Sequence, residues 1–528
     1  RAAQELLPEF VRMVRDGNTY QYGVARALRR FEEAVHWFQE SPAEPDVRTQ
    51  LPTPLPEKPP LADPANVQGG ILTSYPDVDH GCLLMVQFKT PAAAAAFLKA
   101  LPVTTEADTL APGGIATNIA FTLEGLRAIG LTDDEIREWP EEFAQGMEMR
   151  AGILGDVRVN HPQRWRRPAR NWALGVNAPN VGETDEAARI DLSAVHAMIQ
   201  VRSRATPDGS DDDTIKARAP LMAALEKLVA VHEGVAPLSL QWMHRLRNAN
   251  KVVEEHFGFT EGNSEPVLNK ADAGRRYSNQ SHLGDFLCGY PNLADKTDFY
   301  GGASERIRPL MKDGSFLAVR KLRQDVEAFE TALAEGAKAL NAEGLTLSRE
   351  DLMAKMMGRW PADHAQSGQP LAEVLGPDPL SNDFHFDKDP AGSVCPFHAH
   401  IRRANPRFVS PEPGARPPRI ARRGMSYGPI HDRGQTDPTA LRNSLDTERG
   451  LVFMVYNASL GEQFEVVQSW LSGGNSSGSF SGQSDPLLGV AEPGKKRFFR
   501  FEHEGQVAHM PLDGSDRLHV EPRPFVRL

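Results

Sequence analysis

Residues 81–89 read Gly-Cys-Leu-Leu-Met-Val-Gln-Phe-Lys, a short apolar run that is typical of a strand buried on both faces. The alanine-rich segment 91–101 follows at once and predicts a helix. Outward from this pair, similar patterns predict strands at 115–121 and 195–202 and helices at 122–129 and 214–232. Because strands and helices mix without a regular strand–helix–strand period, we predict an α+β fold with helices packed on antiparallel sheets.

The second half of the chain repeats this mixture of elements. It predicts strands at 314–321, 450–456 and 497–501 and helices at 324–340 and 461–471. We therefore expect two domains of similar build, residues 66–245 and residues 246–528. Residues 1–50 carry apolar positions at helical spacing and predict a helical extension. Residues 51–65 are predicted to form a linker, since six of the fourteen residues Leu51–Pro64 are proline.

Composition narrows the possible functions. The chain has 528 residues, 40% of them hydrophobic and 24% charged, which is ordinary for a globular protein. Its formal net charge of -11 argues against nucleic acid or an anionic membrane as the main partner, and its apolar runs are too short to span a bilayer. The three cysteines, Cys82, Cys288 and Cys395, are far apart and predict neither a disulfide framework nor a thiolate metal site. We expect a cytoplasmic protein; export by a signal upstream of Arg1 and assembly into a homo-oligomer stay open.

Three segments carry residue types that could do chemistry. Residues 256–266 hold a carboxylate between two glycines, residues 395–407 hold two histidines beside three arginines, and residues 419–424 hold an arginine pair before a glycine. Each has an ordinary explanation when taken alone: a turn, a surface histidine or half of a surface ion pair. By themselves these segments indicate at most a metal or anion site.

In combination, the three segments resemble the motifs of the dye-decolourising peroxidase (DyP-type) family. They occur in the family's order as Gly258-Phe-Thr-Glu-Gly262, His400-Ile-Arg-Arg-Ala-Asn-Pro406 and Arg419-Ile-Ala-Arg-Arg-Gly424. The resemblance covers about residues 66–528 and is closest to the larger subfamily. It implies two ferredoxin-like domains, each an antiparallel sheet with peripheral helices, and haem b held mainly by the second domain. The helical extension and the linker fall outside it.

The resemblance also implies a set of residues on the proximal side of the haem. His400 is similar to the axial iron ligand, because it directly precedes the Ile-Arg-Arg-x-Asn-Pro run. His398 is expected to be unligated. Glu465, or less favourably Glu462, would accept a hydrogen bond from the second ring nitrogen of His400 and so tune the iron.

Four further residues are expected on the distal side. Glu261 is similar to the distal acid and Arg422 to the distal arginine, while Leu451 and Phe453 resemble apolar lining residues. Leu451 and Phe453 are two apart on a predicted strand and therefore share a face, although an ordinary core position is an open alternative for both. The acid would move the peroxide proton, and the arginine would stabilise charge on the leaving oxygen.

The implied activity is a haem-dependent peroxidase that uses hydrogen peroxide to oxidise bulky dye-like or phenolic donors. Trp360, Tyr427 and Trp470 are candidates for electron entry by residue type alone. Glu261 departs from the family's Gly-x-x-Asp-Gly motif by one methylene. An apolar pocket would raise its pKa and Arg422 would lower it, so we expect a slow enzyme that works best at acidic to mildly acidic pH.

Two alternatives stay open at this point. One is a haem-binding protein with little peroxidase activity, serving haem storage, transfer or sensing. A weaker one is a haem enzyme with altered chemistry, such as a peroxygenase or a dismutase-like reaction. Both rest on the replacement of aspartate by Glu261.

Overall fold

The computed structural model describes most of the chain from residue 62 onward. The described residues are 62–75, 77–156, 192–204, 214–230, 233–248, 250, 252–268, 280–292, 304–372, 384–407, 417–428, 449–473, 483–489, 497–512 and 526–527. The predicted helical extension 1–50 lies outside them, and so does the linker apart from 62–65.

Strands and helices are numbered in chain order over the described residues. The strands are β1 (Val78–Phe88), β2 (Ile115–Phe121), β3 (Ala197–Arg204), β4 (Val235–His244), β5 (Leu246–Arg247), β6 (Val253–Glu254), β7 (Val267–Leu268), β8 (Gln280–Ser281), β9 (Phe316–Gln324), β10 (Ala421–Arg422), β11 (Met425–Tyr427), β12 (Gly450–Asn457), β13 (Phe498–His503), β14 (Gln506–Pro511) and β15 (Val526–Arg527). The helices are α1 (Pro91–Ala100), α2 (Leu123–Ala128), α3 (Asp133–Ile136), α4 (Glu141–Met149), α5 (Ala151–Leu154), α6 (Thr214–Ala230), α7 (Arg308–Met311), α8 (Val326–Ala342), α9 (Arg349–Met357), α10 (His400–Ala404) and α11 (Glu465–Ser472).

The first half of the chain folds around strand β1, as its sequence predicts. Cys82, Leu84 and Val86 point to one side of the sheet and Leu83 to the other, and all four are at most 2% exposed. Thr90 caps α1 by accepting a hydrogen bond from the backbone of Ala93, so the chain turns directly from strand into helix. The strands lie in the order β4-β1-β3-β2 with antiparallel pairing, which is the ferredoxin-like arrangement.

The second half repeats the same topology. Strand β9 pairs with both β15 and β12, and β12 pairs with β10 and β11, again antiparallel. The order β15-β9-β12-β11 therefore matches β4-β1-β3-β2 position by position. A bridge between Ser426 and His244 joins the two halves, so that nine strands of the described residues form one sheet. The predicted α+β fold with two ferredoxin-like units is confirmed.

Most of the predicted elements are present with shifts of a few residues at their ends. The sequence patterns missed β4, the short strands β10 and β11, and helix α9, which a capping box at Ser348 begins. Helix 461–471 is split, because Leu460–Phe464 is π-helical and α11 begins only at Glu465. In the described part of the chain, the helices are either too short or too polar to cross a membrane.

Candidate functional site

The loop that carries Glu261 is a tight turn held by its own backbone and by Glu255. Gly258 and Gly262 have φ angles of +94° and +80°, a conformation that residues with a Cβ rarely adopt. The Glu261 N–H donates to the carbonyl of Val253 at 3.1 Å. Both glycines of the motif are therefore required by the path of the chain, and the loop presents Glu261 in a defined position.

Glu261 lies against strand β11. Its Oε1 accepts a hydrogen bond from the Ser426 hydroxyl at 3.2 Å. Burial, reinforced by the nearby charge of Glu255, raises the pKa of Glu261 to about 7, while the Ser426 hydrogen bond, Arg245 and Arg422 act in the opposite direction. The expected rise is confirmed, and Glu261 can exchange a proton near neutral pH.

Arg422 and Arg423 point to opposite faces of the sheet. Arg422 pairs with Val455 across β10 and β12, so its side chain lies on the Val455 side and is 41% exposed. Arg423 is 8% exposed and donates to the carbonyls of Gly70 and Ile71 at 2.6 and 3.0 Å. Arg422 thus keeps a partly exposed guanidinium, whereas the guanidinium of Arg423 is buried.

Glu265 links the two arginines. One carboxylate oxygen lies 3.1 Å from Arg422 and the other 2.9 Å from Arg423. Arg422 also donates to the backbone carbonyl of Asn263, just beyond Gly262. The Glu261 loop and the arginine pair are therefore fastened to each other.

One face of β12 lies on the same side as these polar groups. Leu451 pairs with Ser426, and Phe453 and Val455 follow at the same side of the strand. Leu451 and Phe453 are only partly buried, whereas Val452 and Met454 on the other face are 0% exposed. The structure thus brings Glu261, Arg422, Leu451 and Phe453 together on one side of the sheet.

His400 is the first residue of α10 and is oriented by Asp485. The ring Nδ1 lies 2.8 Å from Oδ2 of Asp485, whose side chain is completely buried. The other oxygen of Asp485 accepts hydrogen bonds from the N–H groups of Leu487 and Leu488, both at 2.8 Å. A carboxylate fixed in this way sets both the orientation and the basicity of the imidazole.

The prediction that Glu465 holds His400 is wrong. Arg150 engages both oxygens of Glu465, and the two side chains are 10% and 8% exposed. Leu460–Phe464 is π-helical, so Glu465 has a different helical phase from the one that a continuous α-helix over 461–471 would give it. Glu462 lies in that turn beside Ser459 and is not the recorded partner of His400 either. Asp485 was missed, although an acid before Pro486 at a turn is a recognisable capping signal.

His398 points away from this arrangement. It is 7% exposed and its ring packs edge-on against Phe499 at 5.1 Å. Burial lowers its pKa to about 4, so the ring is neutral at ordinary pH. His398 is therefore a core residue.

The residues fit a haem held by one axial imidazole. His400 is 27% exposed, and within the described part of the chain its Nε2 makes no hydrogen bond, so this nitrogen can face iron. The described residues contain no cluster of three or more His, Cys, Asp or Glu that could hold a metal by itself. A haem bound at His400 would bring its own porphyrin nitrogens as ligands to the iron, so that a single protein ligand is sufficient.

The three candidates for electron entry differ in exposure. Tyr427 and Trp470 are 4% and 5% exposed. Trp360 is partly exposed and stacks on His364, with ring centroids 4.1 Å apart and planes 12° apart. Only Trp360 of the three presents an indole that a bulky molecule could approach.

Comparison with known proteins shows that the chain is similar to dye-decolourising peroxidases. Residues 302–488 match the family model described as Dyp-type peroxidase, C-terminal. The chain is 36% identical over 233 residues to the multifunctional dye peroxidase DyP2 of Amycolatopsis sp., covering 42% of the chain and 47% of the relative. It is 30% identical over 397 residues to the dye-decolorizing peroxidase msp1 of Mycetinis scorodonius, covering 71% and 66%. The chain thus spans between about half and two thirds of these curated relatives.

The solved structure of DyP2 from Amycolatopsis sp. has the same fold. It superposes with a TM-score of 0.61 at 22% identity and covers 89% of the chain and 94% of that structure. Residues 302–488 are therefore similar to the C-terminal part of Dyp-type peroxidases, and the described residues have the fold of the solved dye-decolourising peroxidase.

Proposed function

We propose that this chain is a haem b-dependent peroxidase that uses hydrogen peroxide to oxidise bulky organic donors, with His400 as the axial ligand. The observation that carries the proposal is the face shared by Arg422, Ser426 and Leu451, onto which Glu261 is hydrogen-bonded. An acid–base group and a fixed cation beside apolar residues are what peroxide cleavage requires.

A haem held by His400 would supply the electrons for cleavage of the peroxide O–O bond, and the organic donor would replace them. Glu261, in the place of the motif's aspartate, takes the proton from one peroxide oxygen and returns it to the other. Its pKa of about 7 lets it serve in both directions near neutral pH. Arg422 stays charged and stabilises the leaving oxygen.

Donors need not enter the pocket in this scheme. Trp360 is the partly exposed member of the three aromatic candidates, and it directly follows Arg359, which donates to Ser264 beside the Glu261 loop at 3.1 Å. A dye or phenol bound at this indole would lose its electron there, and the pocket itself would admit only peroxide.

The test is to mix purified holoprotein with hydrogen peroxide and follow the Soret band in a stopped-flow instrument. The proposal expects one haem per chain, a rapid peroxide-dependent spectral change, and oxidation of a bulky dye. His400→Ala should lose the haem spectrum, while His398→Ala should keep it. Stable haem binding without any reaction with peroxide would instead identify a haem storage, transfer or sensing protein.

A further inference from the structure

Glu255 holds the turn that carries Glu261 through hydrogen bonds of both its side chain and its backbone. Its Oε2 accepts from the N–H of Phe257 at 3.0 Å, and its Oε1 accepts from the N–H of Phe259 at 2.9 Å. Its backbone carbonyl accepts from Gly258 at 2.8 Å, and its own N–H donates to the carbonyl of Phe259 at 3.0 Å. Each carboxylate oxygen therefore holds a different point of the turn.

The same carboxylate is also tied to the sheet. The side-chain amide of Gln324, at the end of β9, donates to Oε2 of Glu255. Phe257 and Phe259 pack on Phe329 of α8 with ring centroids 4.5 and 6.4 Å apart. The loop is thus anchored to β9 by the hydrogen bond between Gln324 and Glu255, and to α8 by the packing of the two phenylalanines on Phe329.

We propose that Glu255 is the positioning residue for Glu261: its carboxylate fixes the turn that presents Glu261 and lies close to it. The inference rests on the proposed function in that the positioned carboxylate is the one that moves the peroxide proton.

The charges around Glu261 decide whether its pKa rises or falls when Glu255 is replaced. Glu255 raises the pKa of Glu261, and Arg245 and Arg422 lower it. Three donors, from Phe257, Phe259 and Gln324, meet the carboxylate oxygens of Glu255. Removing the charge of Glu255 makes Glu261 a stronger acid.

The test compares Glu255→Gln with Glu254→Gln in the haem-loaded protein. Glu254 is a matched control, since it is the adjacent buried carboxylate and it accepts a hydrogen bond from the side-chain amide of Asn248, outside the turn that carries Glu261. The carboxyl titration of Glu261 is read by infrared difference spectroscopy, with Glu261→Gln identifying its band, and the pH profile of the peroxide reaction is measured in parallel. Glu255→Gln should lower both midpoints by about one pH unit, and Glu254→Gln should leave both unchanged.

Equal midpoints in Glu255→Gln and the parent protein would overturn the inference. Glu255→Asp gives an independent arm if the glutamine variant does not fold: it keeps the charge but cannot span both N–H groups. The peroxide step should then slow by about 10–100-fold at an unshifted midpoint, because small misplacements of a reacting group are costly. A normal rate in Glu255→Asp would also overturn it. If no variant and no parent protein reacts with peroxide, the proposed function fails, while the infrared midpoints still decide the role of Glu255.

Discussion

Asp485 and His400 are 85 positions apart in the chain, and a 2.8 Å hydrogen bond joins Oδ2 of the carboxylate to Nδ1 of the imidazole. The carboxylate is wholly buried and is itself fixed by two backbone N–H groups. Within 4 Å no other ion pair involving His400 is recorded among the described residues. The basicity of the proposed axial ligand therefore depends on this one contact.

Asp485→Asn should weaken the proposed iron ligand. A neutral amide withdraws the charge that makes the imidazole a strong donor, so haem affinity or peroxide reactivity should fall by about 10–100-fold and the haem reduction potential should rise. Haem titration and spectroelectrochemistry measure both. Unchanged values in Asp485→Asn would contradict the assignment of Asp485.

Arg422→Leu should separate reaction from binding. Arg422 faces the polar side of the sheet, and its charge acts where charge develops on the leaving oxygen, so haem should remain bound while the rate with peroxide falls by about 10²–10³-fold. Arg423→Leu is the matched control, and it should lower thermal stability because Arg423 donates to Gly70 and Ile71. If Arg423→Leu lost the peroxide reaction and Arg422→Leu kept it, the arginine that acts on peroxide would be Arg423.

Glu261→Gln should abolish the pH dependence of the peroxide step. In the parent protein, Glu261 can accept the peroxide proton only when it is ionised, so the rate should rise as pH increases through about 7 and then level off. This limb differs from the acidic to mildly acidic optimum that the sequence predicts, and the measured pH profile decides between the two. The variant should be slower by about 10²–10⁴-fold on the plateau, and stopped-flow rates between pH 5 and 9 test it.

The same titration predicts a change in stability. The pKa of Glu261 in the fold is raised from 4.5 to about 7, so protonation stabilises the folded state. That contribution is complete below pH 4.5 and is lost as pH rises through 7. Relative to Glu261→Gln, the parent protein should lose up to about 3 kcal/mol of unfolding free energy between pH 4.5 and 8. Denaturant unfolding of both proteins at these pH values measures the difference, and parallel curves would contradict it.

Arg150→Met should destabilise the protein strongly. It leaves Glu465 buried without its guanidinium, at a cost of about 3–5 kcal/mol. Arg150→Met combined with Glu465→Leu should recover much of that loss, because no isolated charge remains. Thermal unfolding of the two single variants and the double variant gives the coupling. Haem binding through His400 should survive in the double variant, since Asp485 is untouched.

Trp360→Phe should slow the oxidation of the organic donor without slowing the reaction with peroxide. Trp360 is the partly exposed aromatic candidate, so its removal should slow oxidation of a bulky dye by about tenfold or more while the reaction of haem with peroxide keeps its rate. Trp470→Phe, a buried replacement, is the comparison. Equal dye turnover in Trp360→Phe would move the entry point elsewhere.

Local patterns in the sequence were sufficient for much of the fold and for part of the site. The apolar run 81–89 and the helix after it depend on neighbouring residues. The order of the three motifs pointed to Glu261, His400 and Arg422. Each of these signals is contained in a few consecutive residues, so it can be read from local periodicity and turn residues without knowledge of the tertiary structure.

Tertiary structure alone decided which groups meet. Cross-strand pairing with β12 placed the side chain of Arg422 on the Val455 side of the sheet. Glu465, which follows a π-helical turn, pairs with Arg150, 315 positions away in the chain. The carboxylate that contacts the ring of His400 is that of Asp485. Contacts of this kind depend on the register of distant strands and on the phase of a helix, which change by a whole face when a single residue is inserted or shifted. The sequence determined which residues could do the chemistry, and the packing of the two ferredoxin-like units determined which of them stand together.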